Sequence, residues 1–160
     1  MRRKVLKSSN TSAIAGLTLI ELMIVGILVG VLTAIALPMF NRQIQKARLT
    51  EMAITIDSFR KAFELYRLVN GQFPDDSHID LPAGMIGEIP DSVWRAETAI
   101  GGNFNWEGLN TYTYAGVSVL GPTAPEQEII LLDRLIDDGD ITTGKARFTP
   151  NGRYTFIFEE

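Results

Sequence analysis

The 160-residue sequence predicts an α+β fold: one long N-terminal α-helix, transmembrane in its first half, packs by its second half on a small C-terminal antiparallel β-sheet. Three observations carry that expectation. The stretch from Leu17 to Phe40 is nearly all apolar, and Glu21 is its one charged residue. Beyond it Leu49, Met52, Ile56, Phe59, Phe63 and Tyr66 recur at spacings of three and four, the period of one helical face. Toward the C-terminus, apolar segments rich in β-formers flank Pro150-Asn151-Gly152, a hairpin signal because Asn-Gly tolerates the positive φ of a tight turn.

Each element follows from local chemistry. At ~1.5 Å per helical residue the 24 residues from Leu17 to Phe40 span ~36 Å, enough for a hydrocarbon core of ~30 Å. Pro38 removes one backbone donor and is expected to bend this helix without ending it. In the second half, Arg48, Glu51, Asp57, Arg60, Lys61, Glu64 and Arg67 lie between the apolar positions, so that charge faces water. Asn70-Gly71 supplies a C-cap and Pro74 a stop, which extends a single helix from about Leu17 to Val69. Residues 71–110 are frequent in Gly, Pro, Asp and Asn and read as a loop-rich connection with a short helical turn near Asp91 to Ala96. Thr111 to Leu120 reads as a strand. Pro125 to Ile136 reads as a short helix with Ile129, Leu132 and Ile136 on one face. Lys145 to Thr149 and Arg153 to Phe158 form the arms of the hairpin. Trp94 and Trp106 are expected in or near the core.

Composition excludes several classes of function. There is no cysteine, hence no disulfide, thiolate zinc site or cysteine nucleophile. Net charge is -4, but Arg2, Arg3, Lys4 and Lys7 all fall in the first sixteen residues, and the remainder carries 11 of the 15 basic and all 19 acidic side chains. So acidic a body lacks the basic footprint of a nucleic-acid binder, and none is expected as a partner. The basic start before an apolar run predicts a cytoplasmic N-terminus. His78 is the only histidine, and no nucleophile or metal-ligand spacing accompanies it. The acid pairs Asp75-Asp76 and Asp137-Asp138 sit in turn-like sequence where solvation explains them, so the chain is not expected to be an enzyme.

Glu21 needs a reason. A carboxylate within a hydrophobic helix costs about 2.5–3.5 kcal/mol unless it finds a partner. The segment Gly16-Leu17-Thr18-Leu19-Ile20-Glu21-Leu22-Met23-Ile24-Val25 resembles the processing site of type IV pilins and type II secretion pseudopilins. In that family an inner-membrane prepilin peptidase cuts after the glycine and methylates the new N-terminal amine. The resemblance implies cleavage between Gly16 and Leu17, an N-methylated Leu17, and assembly roles for Glu21 and Pro38. The amine created at Leu17 lies four residues before Glu21, one helical turn, so the carboxylate can pair with its own amine or with that of a neighbouring subunit. Two other readings stay open. Leu22 to Leu32 with Ala34-Ile35-Ala36 matches a secretory signal whose cleavage would free a soluble binding protein. A permanently anchored single-pass binding protein that never polymerises is the other.

The resemblance continues through Ala62 to Arg67 and Asn70-Gly71-Gln72-Phe73-Pro74, which is similar to the end of the long helix in major pseudopilins. It implies a leader at 1–16, a transmembrane and assembly helix at 17–40, and a periplasmic pilin-like α+β domain at 41–160. It further implies a subunit held in the inner membrane by a single pass, then built into a periplasmic or extracellular filament. Its partners would be copies of itself, related pilins, the peptidase and an inner-membrane assembly platform. No cofactor is required. Asp138, Asp140 and Thr142 alternate as calcium-loop oxygens do, and major pseudopilins bind calcium in this half of the fold. The spacing misses an EF-hand, because Thr143 stands where its glycine belongs and no glutamate closes the loop.

Overall fold

A computed structural model describes residues 18–160. Gly16 and Leu17, and with them the expected cleavage site, lie outside the described residues. The chain divides into two compact units at Arg42 and Gln43. Helix α1 (Leu19–Asn70) carries Pro38 inside it, so the proline does not end the helix. Its end is a glycine cap: Gly71 takes φ 80°, where a side chain would be strained, and its N–H donates to the Arg67 carbonyl at 2.8 Å.

In the first unit every described side chain is exposed, and the large apolar ones from Leu19 to Phe40 are 52–77% exposed. In the second unit, Gln43–Glu160, α1 buries Leu49, Met52, Ile56, Phe59 and Phe63. The remaining elements are a 3-10 turn (Ala83–Met85), α2 (Asp91–Trp94), β1 (Asn103–Glu107), β2 (Ala115–Leu120), α3 (Glu126–Ile136), β3 (Ala146–Phe148) and β4 (Tyr154–Glu159). The four strands form one antiparallel sheet in the order β1-β2-β4-β3. Phe104 and Trp106 of β1 lie opposite Val119 and Val117 of β2, which face Tyr154 and Phe156 of β4. On this face the Phe63 ring stacks on Trp106 at 3.8 Å, and Phe59 meets Phe104 edge-on at 5.1 Å. The α+β architecture with the long helix on a small antiparallel sheet is therefore as the periodicities predict.

Residues 71–110 differ from expectation, because they hold β1 as well as loops. Its pattern, Asn-Phe-Asn-Trp-Glu, alternates with period two but contains no β-branched residue, and two asparagines argue against a strand on propensity. Cross-strand pairing overrides that propensity. The predicted strand at Thr111 begins only at Ala115, because the amides of Thr111 and Tyr112 turn back to the Gly108 carbonyl. The hairpin forms as predicted, with Pro150 and Asn151 central and Gly152 alone taking positive φ, 79°. Both sheet edges are engaged: Trp106 donates to the His78 carbonyl beside β1, and Phe148 of β3 donates to that of Ile141.

Candidate functional site

The head of α1 is built by a reciprocal cap. The Thr18 amide and hydroxyl both donate to Glu21 Oε2, at 2.8 and 2.6 Å, while the Glu21 amide donates to Thr18 Oγ1 at 3.3 Å. This is a capping box, and it satisfies backbone donors that the helix start leaves open. The Thr18-Leu19-Ile20-Glu21 spacing before an apolar run was the signal available for it, and sequence reasoning about the Leu17 amine passed over it. The box uses Oε2; among the described residues Oε1 accepts no bond.

Down the same segment Gly26, Gly30 and Ala34 recur every four residues on one face. A side-chain carbon added at Gly26 or Gly30 would meet nothing within 4 Å in the isolated chain, so neither glycine is demanded by the subunit's own packing. Small residues at this spacing let two apolar helices approach closely in lipid or in a bundle. Pro38 stands 17 residues after Glu21, ~25 Å along a helix. The described segment thus presents a polar head and a small-residue seam.

The other candidates lie in the second unit. Asp138 Oδ1 accepts from the Asp140 amide at 2.8 Å, and Asp140 Oδ1 accepts from the Thr142 amide at 3.0 Å and the Thr142 hydroxyl at 2.6 Å. Each acid closes its own turn, and the Thr142 bonds hold the Asp140 carboxyl below its ordinary range. Among the described residues no group of three or more acidic or imidazole side chains converges here. His78 is exposed, and Asp75-Asp76 lie in irregular backbone where the Asp76 amide donates to Asn110 Oδ1.

Asp133, at the end of α3, anchors this loop. It is fully buried, accepting from the Tyr154 hydroxyl and from the Gly139 amide. Burial raises its carboxyl pKa, outweighing the Tyr154 and Gly139 bonds that lower it, and the charges of Asp138 and Asp137 add to the rise. A raised folded pKa means that its contribution to stability is fully present below the unfolded value, ~3.9, and is lost as pH rises through the folded value. Comparison of wild type with Asp133→Asn at successive pH values is therefore expected to show the wild type losing melting temperature relative to the variant from about pH 4 upward. A difference that stays flat or grows in the wild type's favour refutes this.

On the sheet face away from α1, Glu107 is fully buried and Arg153 is 13% exposed in its side chain, with Nη1 2.7 Å from Oε1. Glu107 also accepts from Asn151 Nδ2 at 2.8 Å and from the Tyr114 hydroxyl at 2.9 Å. Burial works against the Arg153 charge, but Glu107 outweighs it and the guanidinium pKa is raised. Burial, opposed by Thr149 and reinforced by Glu107, pushes the Tyr114 phenol up to about 12, so it remains a donor at neutral pH. The cluster ties β1, the loop before β2 and the β3–β4 hairpin together; sequence reasoning missed it because its members are up to 46 residues apart.

No family model and no solved structure matches the chain. Curated relatives do. The chain is 33% identical over 98 residues to a type IV major pilin protein PilE1 of Neisseria gonorrhoeae, an alignment covering 59% of this chain and 46% of the relative. It is 43% identical over 56 residues to prepilin peptidase-dependent protein D of Escherichia coli K12, covering 35% and 38%. A fimbrial protein of Neisseria meningitidis serogroup A is 37% identical over 62 residues, covering 39% and 36%. The chain spans about half the length, or less, of the curated relatives it matches.

Proposed function

We propose that the chain, which is similar to type IV major pilins and to prepilin peptidase-dependent protein D, is a non-enzymatic structural subunit of a type IV pilus-like or pseudopilus filament. The observation that carries this reading is the exposed apolar segment Leu19 to Phe40, headed by the Thr18–Glu21 box. An apolar helix of ~33 Å whose side chains are all exposed cannot remain in water; lipid or other copies of the helix must cover it. Membrane storage and polymerisation are then two ways of covering one surface. In this reading a prepilin peptidase removes residues 1–16 and methylates Leu17. The 17–40 segment holds the subunit in the inner membrane, and residues 41–160 form the periplasmic domain. An assembly platform then moves the subunit into a periplasmic or extracellular filament of itself and related pilins.

Intact mass of the membrane-extracted protein tests the processing. A mass of residues 17–160 plus one methyl group is expected, whereas a chain beginning at Leu37 selects the secretory-signal reading and an uncut chain selects a permanent anchor. Gly16→Val is expected to leave the leader attached, because the peptidase of this family needs a small residue before the cut. N-terminal sequencing of that variant checks it, and a normal Leu17 start removes Gly16 from the site.

A further inference from the structure

An open helical filament requires a head-to-tail contact, in which two different patches of the subunit meet. The second unit carries two such patches. At 3.6 residues per turn, Ala47, Thr50 and Ile54 lie on the side of α1 opposite its buried Leu49, Met52 and Ile56. They line a shallow trough of about 510 Å³, rimmed by Lys46 on one side and Glu51 on the other. Ile54 is 64% exposed at its end. On α3 the outward face presents Leu131 and Leu135, 50% and 46% exposed, while Ile129, Leu132 and Asp133 are buried. Glu128 and Arg134 flank this leucine pair on opposite sides. Among the described residues none of Lys46, Glu51, Glu128 and Arg134 forms an ion pair within the subunit.

We propose that α3 of one subunit seats in the α1 trough of a second copy, the two helices running parallel, Leu131 over Ala47 and Thr50 and Leu135 against Ile54. Resting on the filament reading above, this names the surface through which neighbouring domains meet. Charge selects the occupant and its direction. Facing helices that run parallel bring the Glu51 side of one against the Arg134 side of the other, and Lys46 against Glu128. The antiparallel arrangement would pair Glu51 with Glu128 and Lys46 with Arg134, like against like. The axial offsets agree, since Lys46 to Glu51 is ~7.5 Å along its helix and Glu128 to Arg134 is ~9 Å. Leu131 then falls midway along the trough, where Ala47 and Thr50 leave room for a leucine, and one turn on Leu135 reaches Ile54.

The natural lack of cysteine makes the test direct. In the full-length chain carrying both Thr50→Cys and Leu131→Cys, oxidation of sheared filaments is expected to give a ladder of disulfide-linked polymer. Either single variant is expected to stay monomeric. Wild-type filaments without a ladder in the double variant overturn the contact, as does equal dimerisation of Thr50→Cys alone, which would mean a self-complementary patch. In parallel, Glu51→Arg and Arg134→Glu are each expected to cut filament yield about tenfold without moving the melting temperature, and the doubly swapped chain to recover it. Singles without effect, or a double no better than the singles, count against it. If the wild type itself never polymerises, the filament reading falls and this contact falls with it; a polymer without the cross-link removes this contact alone.

Discussion

Glu107→Ala is expected to destabilise the sheet domain by about 3–5 kcal/mol, because it strands the Arg153 guanidinium, 13% exposed, without its counter-ion. Tyr114 and Asn151 lose their acceptor at the same time, so two further polar groups are left short of bonds. For a unit of 118 residues a loss on this scale corresponds to a fall of roughly 10 °C or more in melting temperature. Arg153→Ala should cost somewhat less, since Glu107 would keep Tyr114, Asn151 and the Thr155 hydroxyl at 3.3 Å. Replacing both charges by methionine is expected to be milder than either single change, because no buried charge is then left over. Near-UV circular dichroism of the full chain in detergent, reporting on buried Trp94 and Trp106, measures all four proteins. If the double variant loses as much as the two singles together, the cluster is not a coupled pair, and Glu107 contributes only packing.

Such a clasp has a clear physical place in a chain without disulfides. The β3–β4 hairpin adds to the sheet through β4, and its turn residues Asn151 and Arg153 reach across to β1 through Glu107. A covalent bridge between these segments would act mainly by restricting the unfolded chain. The ion pair acts on the folded state, and its sensitivity to loss of one partner is the cost of that arrangement.

What could be read from residues alone was what depends on short spacings. The stripe Leu49, Met52, Ile56, Phe59, Phe63 is buried as its period requires, and Asn70-Gly71 ends the helix through a positive φ that glycine permits. Pro150-Asn151-Gly152 turns the hairpin for the same local reason, although only Gly152 takes the left-handed conformation. What depends on distant pairing was not legible. Strand β1 exists because Phe104 and Trp106 pair with β2 and pack beneath Phe59 and Phe63, and nothing within Asn103–Glu107 announces those partners. The polar cluster around Glu107 was hidden for the same reason. Asp138 and Asp140 alternate as cation-loop oxygens do, and in the folded chain each also accepts a backbone amide two residues on through Oδ1, a local contact that the alternation alone does not distinguish. At the head of α1 the Thr18-x-x-Glu21 box was readable and was obscured by a more interesting partner for the same carboxylate.

Substitution can separate the cap that Glu21 forms from the charge pairing that the filament reading proposes for it. As a cap, its carboxylate accepts from Thr18, and a helix cap is worth about 1 kcal/mol, most of which glutamine retains because it closes the same box. As a charge, it is expected to neutralise the amine that cleavage creates at Leu17 in its own or a neighbouring subunit, which glutamine cannot do. Glu21→Ala and Glu21→Gln are both expected to be processed after Gly16 and to remain abundant in the membrane. Removing the charge makes residence in lipid more favourable by up to about 3 kcal/mol. In the polymer the same change leaves an ammonium unpaired, at about 3–5 kcal/mol where the pair is well desolvated. Both effects act in the same direction, toward storage and away from filament. Pelleting of sheared filaments should accordingly show both variants failing to incorporate, with Glu21→Asp intermediate because it keeps the charge on a shorter arm. If Glu21→Gln assembles at wild-type yield while Glu21→Ala does not, the cap is the whole of its function, and the charge pairing that the filament reading assigns to Glu21 is wrong.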